Sequence, residues 1–218
     1  MIFRDRREAG RLLAKEVGAL GLDDVIVLAI PRGGVPVGDE IASRLGAPLD
    51  IIVARKIGAP GYPEYAIGAV SQDGEPLIDL PAADAVGATR DYLEQEVALK
   101  AQEVKERMRA YRGDVPYPNL EGKTVVLVDD GIATGSTVRA AIRSIRRRSP
   151  RLVVLATPVA PPDTVRELSP EADKVVCLSQ PEGFGAVGEF YADFAQLKDS
   201  DVVEILQKRR QGSRRPPL

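Results

Sequence analysis

The stretch VVLVDDGIATGSTVRAAI, residues 125–142, decides the fold prediction. It opens with four apolar residues that do not alternate with polar ones, which is typical of a strand covered on both faces of a parallel sheet. Asp129 and Asp130 follow, and a glycine-containing turn then leads into a segment with helical periodicity. In an open parallel sheet, ligands bind where the carboxyl end of a strand runs through a loop into a helix. The stretch therefore predicts a strand, a ligand-binding loop and a helix.

The rest of the chain repeats the alternation of strand and helix. Apolar runs of strand length lie at 25–30, 49–54, 152–156 and 175–178, and helical patterns lie at 5–20, 35–45, 89–112 and 138–148. We therefore predict an α/β protein with a parallel, Rossmann-like sheet flanked by helices.

The pattern predicts one domain, over residues 1–207, with departures from it at three places. Residues 57–79 are rich in Gly, Pro and Tyr, carry short strand candidates at 65–70 and 77–79, and are expected to form a flap or excursion. Residues 181–195 are the candidate for a small hood. Residues 208–218 are basic and Pro-rich and predict a disordered tail.

The composition of the 218-residue chain limits the classes of function. Its 30 basic and 32 acidic side chains are mixed along the sequence and give a net charge of -2, which indicates neither a nucleic-acid nor a membrane partner. Because there is no histidine, histidine metal sites and Ser-His triads are excluded. A single cysteine and the absence of a signal peptide or a long apolar run favour a cytoplasmic protein that binds a small molecule.

The loop after the two aspartates has the composition of an anion site. Gly131 and Gly135 permit tight backbone turns, Ser136 and Thr137 offer hydroxyl groups, and the first amides of the next helix carry the positive end of its dipole. The loop is not a Walker A sequence, because three residues separate the glycines and Ser136 stands where lysine is required. It does not match G-x-G-x-x-G either. We therefore predict a site for a phosphate monoester, and not an ATPase or a dinucleotide site.

Asp129 and Asp130 then need a role apart from the phosphate. Carboxylates accept hydrogen bonds in pairs, and the vicinal 2′-OH and 3′-OH of a ribose offer two donors at a matching separation. A ligand that carries both groups is a ribose 5-phosphate. Two alternatives stay open: the aspartates only cap a turn, or they belong to a receiver-type phosphoacceptor pocket, which leaves the Thr-Gly-Ser-Thr sequence unexplained.

The whole motif VVLVDDGIATGST resembles the phosphoribosyl pyrophosphate (PRPP) signature of type I phosphoribosyltransferases. In that family the acidic pair holds the ribose hydroxyls and the following loop holds the 5-phosphate. The resemblance implies that PRPP binds to Asp129, Asp130, Gly131, Ile132, Ala133, Thr134, Gly135, Ser136 and Thr137. It also implies Mg²⁺ as the ion that accompanies PRPP.

A second part of the chain is similar to the pyrophosphate loop of the same family, particularly of its xanthine-guanine members. The run 25–30 is followed by Pro31, Arg32, Gly33 and Gly34, where glycines let the backbone approach a ligand and arginine can make a forked contact with phosphate oxygens. Lys56, at the end of the next strand, corresponds to a cation that the family places on pyrophosphate. The alternatives are a tight strand-to-helix turn and a solvated charge.

Residues 184–194 resemble, more loosely, the hood of 6-oxopurine phosphoribosyltransferases. That likeness implies base stacking by Phe184 and assistance to the metal by Asp193, although the spacing is one residue longer. Ala133 also departs from those enzymes, which carry an acid at this position near the purine. A purine acceptor is therefore not implied.

The resemblance implies a glycosyltransferase that moves ribose 5-phosphate from PRPP to a nitrogen acceptor, such as a nucleobase, and releases pyrophosphate. Asp129, Asp130, Arg32 and Lys56 are the expected catalytic residues. The alternative is a PRPP-binding regulator without turnover, which the arginine-rich stretch 143–151 and the basic tail favour. The acceptor and any homo-oligomeric state stay open.

Overall fold

The computed structural model describes residues 1–72 and 74–212. The helices are α1 Arg6–Gly18, α2 Gly34–Leu45, α3 Leu80–Ala85, α4 Arg90–Arg112, α5 Ser136–Arg146, α6 Pro162–Leu168 and α7 Asp199–Gly212. The strands are β1 Val25–Ala29, β2 Leu49–Ile51, β3 Ala54–Ala59, β4 Tyr62–Ser71, β5 Pro76–Ile78, β6 Thr124–Val128, β7 Leu152–Val159 and β8 Lys174–Ser179. A short 3-10 helix spans Val187–Phe190.

Five strands form the predicted parallel sheet in the order β2-β1-β6-β7-β8, and the predicted fold class is confirmed. From β1 the chain moves to β2 on one side, whereas from β6 it moves to β7 and β8 on the other. The loops that follow β1 and β6 therefore leave the sheet side by side at a topological switch point. Such a point is where open α/β sheets bind ligands.

The parallel sheet is covered on both faces, as its continuous apolar strands predict. In β6, Val126 and Val128 pack on one face in a cluster with α1, α2 and α7. Val125 and Leu127 pack on the other face with residues of α5 and α6. Within the described residues, no helix is both long and apolar enough to cross a membrane.

The predicted excursion is a second sheet with its own core. Strands β3, β4 and β5 are antiparallel, and Ile57, Ile67 and Val70 are buried against α3 and α4. The segment begins at Ala54, earlier than the predicted 57, because the chain leaves the parallel sheet after Ile51. The second sheet also packs on α5 through alanines, so it is an integral, packed part of the fold.

The predicted disordered tail was placed too early. Helix α7 continues to Gly212, because Val202 and Leu206 are buried in the main core and the Arg209 guanidinium donates to the Asp39 carboxylate at 2.5 Å. Residues 208–212 are therefore helical. The rest of the predicted tail, 213–218, lies outside the described residues.

A buried ion pair fastens α4 to the parallel sheet. The Arg112 guanidinium, at the end of α4, donates to both carboxylate oxygens of Asp50 in β2 at 2.8 Å. It also donates to the carbonyls of Val115 and Pro116. Removal of the arginine would leave a buried carboxylate whose nearest other cation, Arg210, lies 3.8 Å away.

We expect Arg112→Met to lower the free energy of unfolding by about 3 kcal/mol, since an unpaired buried charge is costly. Denaturant unfolding of the variant measures this change. Arg90→Met is the matched control from the same helix, because the Arg90–Glu94 pair is exposed. Equal unfolding midpoints for the two variants would contradict the role of the buried pair.

Candidate functional site

A cavity of about 650 Å³ lies at the switch point, between the two adjacent loops and the second sheet. Both predicted binding regions contribute to its wall. The predicted site residues that line it are Arg32, Gly33, Lys56, Asp129, Asp130 and Thr137. The parallel register of β1 with β6, from Val25 opposite Thr124 to Ala29 opposite Val128, is what brings the two loops together.

The two loops touch at glycines. A Cβ atom on Gly33 would overlap the carboxylate of Asp130, and one on Gly34 would lie 2.6 Å from the carbonyl oxygen of Val128. No side chain fits in either place. The glycines that the sequence predicts for pyrophosphate binding are therefore also required by the packing of one loop on the other. The Pro31–Arg32 peptide bond at this point is cis.

The acidic pair is partly buried, and its two carboxylates have different partners. Oδ1 of Asp129 accepts the amide of Asp130 at 2.9 Å, and Oδ2 of Asp130 accepts Nε of Arg6 at 2.7 Å. Burial raises the pKa of Asp129 well above its ordinary value of 3.8, and the neighbouring carboxylate of Asp130 raises it further. The positive charge of Arg6 acts in the opposite direction.

Two helix N-termini face this edge of the sheet. Helix α2 starts after Gly33 and α5 starts after Gly135, and neither glycine supplies a side-chain cap. Gly135 has φ +75°, in the left-handed region that favours glycine. At the start of α2, the amides of Gly34 and Val35 donate to the carbonyls of Ile30 and Arg32, and Pro36 has no N–H. The N-terminus of α5 is therefore the one that can offer amides to an anionic ligand.

Hydrogen bonds from neighbouring elements fix the backbone of the predicted phosphate loop. The Ile132 amide donates to the carbonyl of Val159 at 2.9 Å, and the Thr164 hydroxyl donates to the carbonyl of Ala133 at 2.7 Å. Thr134 and Ser136 line a second cavity, of about 630 Å³, on the α5 side of the loop. Thr134 and Ser136 therefore lie in a different cavity from the acidic pair, whereas Thr137 lines the first cavity together with that pair.

Helix α4 forms the outer wall of the first cavity, which sequence reasoning missed. Its residues Tyr92, Glu96, Lys100, Glu103 and Arg107 line the cavity at spacings of three and four, which place them on one face of the helix. The helical spacing of these polar side chains was the available signal. Nothing in the sequence, however, indicated that this face would meet a cavity and not solvent.

Cations accumulate where α4 approaches the pyrophosphate loop. Nε of Arg55 is buried without a hydrogen-bond partner and lies 3.6 Å from Glu103. Burial lowers the pKa of Arg55, and the neighbouring charge of Arg107 adds to the effect. Arg32 approaches Asp199 at 3.4 Å, and the Tyr111 hydroxyl donates to that carboxylate at 2.6 Å. This end of the cavity can therefore hold a multiply charged anion.

The two site residues predicted in the hood, Phe184 and Asp193, do not line the first cavity. The Phe184 ring stacks on Phe190 with centroids 5.1 Å apart, and the Asp193 carboxylate accepts the Ala195 amide at 3.0 Å. Their side chains are thus engaged within the hood itself. Over residues 1–72 and 74–212, no cluster of three or more acidic, cysteine or histidine side chains is arranged to hold a metal.

The hood instead contacts the acidic loop through other residues. Val187 lies so close to Gly131 that a Cβ atom there would overlap its methyl group. The Tyr191 hydroxyl donates to the backbone carbonyl of Asp130 at 2.5 Å. Burial raises the pKa of Tyr191, so the hydroxyl remains a donor.

The fold and the paired loops define an α/β protein with a candidate ligand site at its switch point. Residues 6–195 match the phosphoribosyl transferase domain family, and the chain belongs to that family. The predicted family is thereby confirmed, and similar proteins carry the name of the predicted enzyme class, phosphoribosyl transferase.

Similar proteins agree with this membership. The chain is 42% identical over 210 residues to the Mycobacterium tuberculosis (strain CDC 1551) protein named "Putative phosphoribosyl transferase MT0597", with 95% of this chain and 47% of that protein covered. It thus spans about half the length of that relative. The crystal structure of TT1426 from Thermus thermophilus is 47% identical with a TM-score of 0.86, over 95% of this chain and 99% of the other. The bifunctional protein PyrR of Clostridium acetobutylicum is 31% identical over 137 residues, 62% of this chain and 57% of that protein.

We expect Asp129→Asn to stabilise the protein at neutral pH. Because the folded-state pKa of Asp129 is raised, ionisation of this carboxyl group destabilises the folded protein. The destabilisation is absent below about pH 4 and reaches its full size above the folded-state pKa. The variant should therefore melt above the wild type, by a margin that grows as the pH rises from about 4. Calorimetry over this range checks it, with Asp84→Asn, at an exposed position, as control. A margin that does not change with pH would contradict the expectation.

Proposed function

We propose that this chain transfers ribose 5-phosphate from PRPP to a nitrogen acceptor, a nucleobase by preference, with release of pyrophosphate. The observation that carries the proposal is the contact of the Asp130 carboxylate with Gly33. This contact unites the acidic loop and the pyrophosphate loop in one cavity. A ligand that carries a diol beside a diphosphate matches such a surface.

In the proposed complex each part of PRPP meets a different group of residues. Asp129 and Asp130 accept the ribose hydroxyls, and the backbone of the loop 133–137 with the N-terminus of α5 binds the 5-phosphate. The diphosphate lies at Arg32, Gly33, Gly34 and Lys56. Arg55 and Arg107 extend this cationic wall beyond the residues that the sequence indicated.

The chemistry follows from this division of charge. The bond from ribose C1 to the diphosphate oxygen breaks, the lone pair of the acceptor nitrogen forms the new bond to C1, and the proton of the acceptor N–H passes to the departing diphosphate or to water. The ribose becomes positively charged as the diphosphate departs, so the carboxylates stabilise the sugar and the arginines stabilise the leaving group. Fixed positions of both loops remove much of the entropic cost of the encounter.

Mg²⁺ is proposed to enter with PRPP and to neutralise charge on the diphosphate. The residues fit this role, because the described part of the cavity offers isolated carboxylates such as Glu96 and Glu103 and not a closed set of ligands. Magnesium at phosphate sites takes most of its ligands from phosphate and water. A cytoplasmic location, where PRPP would be supplied, is part of the same proposal.

The regulator alternative has weaker support in the structure. In the arginine-rich stretch, Arg143 pairs with Glu171 at 2.9 Å and Arg146 pairs with Asp173 at 2.8 Å. These ion pairs join α5 to the segment between α6 and β8. Binding of PRPP without pyrophosphate release over a broad panel of acceptors would favour the regulator.

The double variant Asp129→Asn, Asp130→Asn tests the proposal directly. We expect it to lose PRPP binding, because both anionic acceptors for the ribose hydroxyls are removed, and to keep its fold. Titration calorimetry with Mg²⁺ and PRPP measures the loss, and circular dichroism checks the fold. Unchanged affinity for PRPP in the folded variant would refute the assignment of the site.

Arg107→Gln tests the diphosphate wall. We expect pyrophosphate affinity to fall roughly tenfold, the loss of one charge-assisted contact, while ribose 5-phosphate affinity stays the same. Arg109→Gln is the matched control, because Arg109 is exposed on the same helix. Arg32→Ala should show an equal or larger loss for pyrophosphate. If Arg107→Gln and Arg109→Gln bind pyrophosphate alike, α4 has no part in the site.

A further inference from the structure

Arg6, the first residue of α1, reaches the acidic pair from a part of the chain with no assigned role. Its Nε donates to Oδ2 of Asp130 at 2.7 Å, and the two side chains are only 12% and 13% exposed. Its Nη1 donates to the carbonyl of Ala195 at 2.9 Å. The guanidinium also lies 3.8 Å from the centroid of the Phe194 ring. Three contacts therefore fix one cation beside one proposed ligand-binding carboxylate.

The segment that carries Arg6 is itself tied to the hood. The Phe3 amide donates to the carbonyl of Phe190, and the Ala192 amide donates to the carbonyl of Phe3, both at 2.8 Å. Phe3 is buried against Tyr191, whose hydroxyl holds the Asp130 backbone. The N-terminal segment and the hood thus hold Asp130 at its side chain and at its backbone.

The charges around Asp130 explain why such a cation is needed. Asp129 is the adjacent acid, Tyr191 remains a neutral donor, and Arg6 is the cation in direct contact. Arg32 and Lys56 lie on the wall of the same cavity. Two neighbouring, partly buried carboxylates repel each other, and a cation held against one of them offsets that repulsion. The carboxylate that is paired with the cation is also held in one orientation.

We propose that Arg6 is a positioning residue that offsets the charge of the acidic pair and orients Asp130 to accept a hydroxyl of the ribose. Arg6 takes Oδ2, and Asp130 still lines the cavity. The inference rests on the proposed binding of PRPP. It adds a residue from the N-terminal helix to a site built on the sheet.

The experiment compares Arg6→Gln and Arg6→Lys with the wild type in titrations with Mg²⁺ and PRPP. In Arg6→Gln the cation that holds Asp130 is lost, so PRPP should bind roughly tenfold more weakly than to the wild type. Arg6→Lys keeps the charge and should recover part of the affinity.

Arg4→Gln is the matched control, because Arg4 is an exposed arginine two positions away that pairs with Asp5 at the surface. It should bind PRPP as the wild type does. In an Asp130→Asn background, Arg6→Gln should cause no further loss of PRPP affinity. Circular dichroism and the melting temperature confirm that each variant is folded, and Arg6→Lys carries the test if Arg6→Gln does not fold.

Each other outcome is informative. A loss of affinity that Arg6→Lys does not relieve, or that persists in the Asp130→Asn background, would show that Arg6 only holds the fold together and would overturn the inference. Unchanged affinity in Arg6→Gln would overturn it as well. A wild-type protein that binds no PRPP would instead contradict the proposed function itself.

Discussion

The contact of the Asp130 carboxylate with Gly33 is the constraint on which the rest of the site depends. Any side chain at position 33 would collide with that carboxylate, so the loops after β1 and β6 approach each other only because residue 33 is glycine. The approach places an acid directly at the N-terminus of α2, where the helix dipole favours negative charge. Two separate strand-to-helix connections become one surface as a result.

The same contact separates the charges of the site. On the hood side, Asp129 and Asp130 lie with Arg6 as their counter-charge. On the α4 side, the positive charges of Arg107 and Arg55 repel each other. Glu103, which lies 3.6 Å from Arg55, also pairs with Lys100. At each end of the cavity, the neighbouring like charges therefore destabilise the folded protein relative to neutral side chains. Such arrangements are characteristic of sites that bind a ligand of complementary charge, because the ligand removes the cost.

The fold was predictable because its strands are continuous apolar runs and its central loop carries a specific motif. Helices α1, α2, α4 and α5 begin and end within two residues of their predicted bounds, as far as helix ends can be defined. Helix α7 was missed because only a few of its apolar residues, such as Val202 and Leu206, reach the core. Arg6 and Arg107 were missed for another reason: the site residues near them are distant along the chain, and no local pattern records such a contact.

The geometry also bears on where the acceptor would enter. The second sheet and α4 close one side of the cavity, and the Tyr92 hydroxyl of α4 donates to the carbonyl of Gly58 in β3 at 2.8 Å. If the diphosphate occupies the cationic end, a nitrogen that attacks C1 must come from the opposite side of the ribose, because the forming and breaking bonds lie roughly in line. Val187 and Tyr191 of the hood contact the acidic loop, whereas the described wall of the cavity is formed mainly by the two loops, the second sheet and α4. An acceptor that binds in this cavity would therefore meet those elements and not the hood.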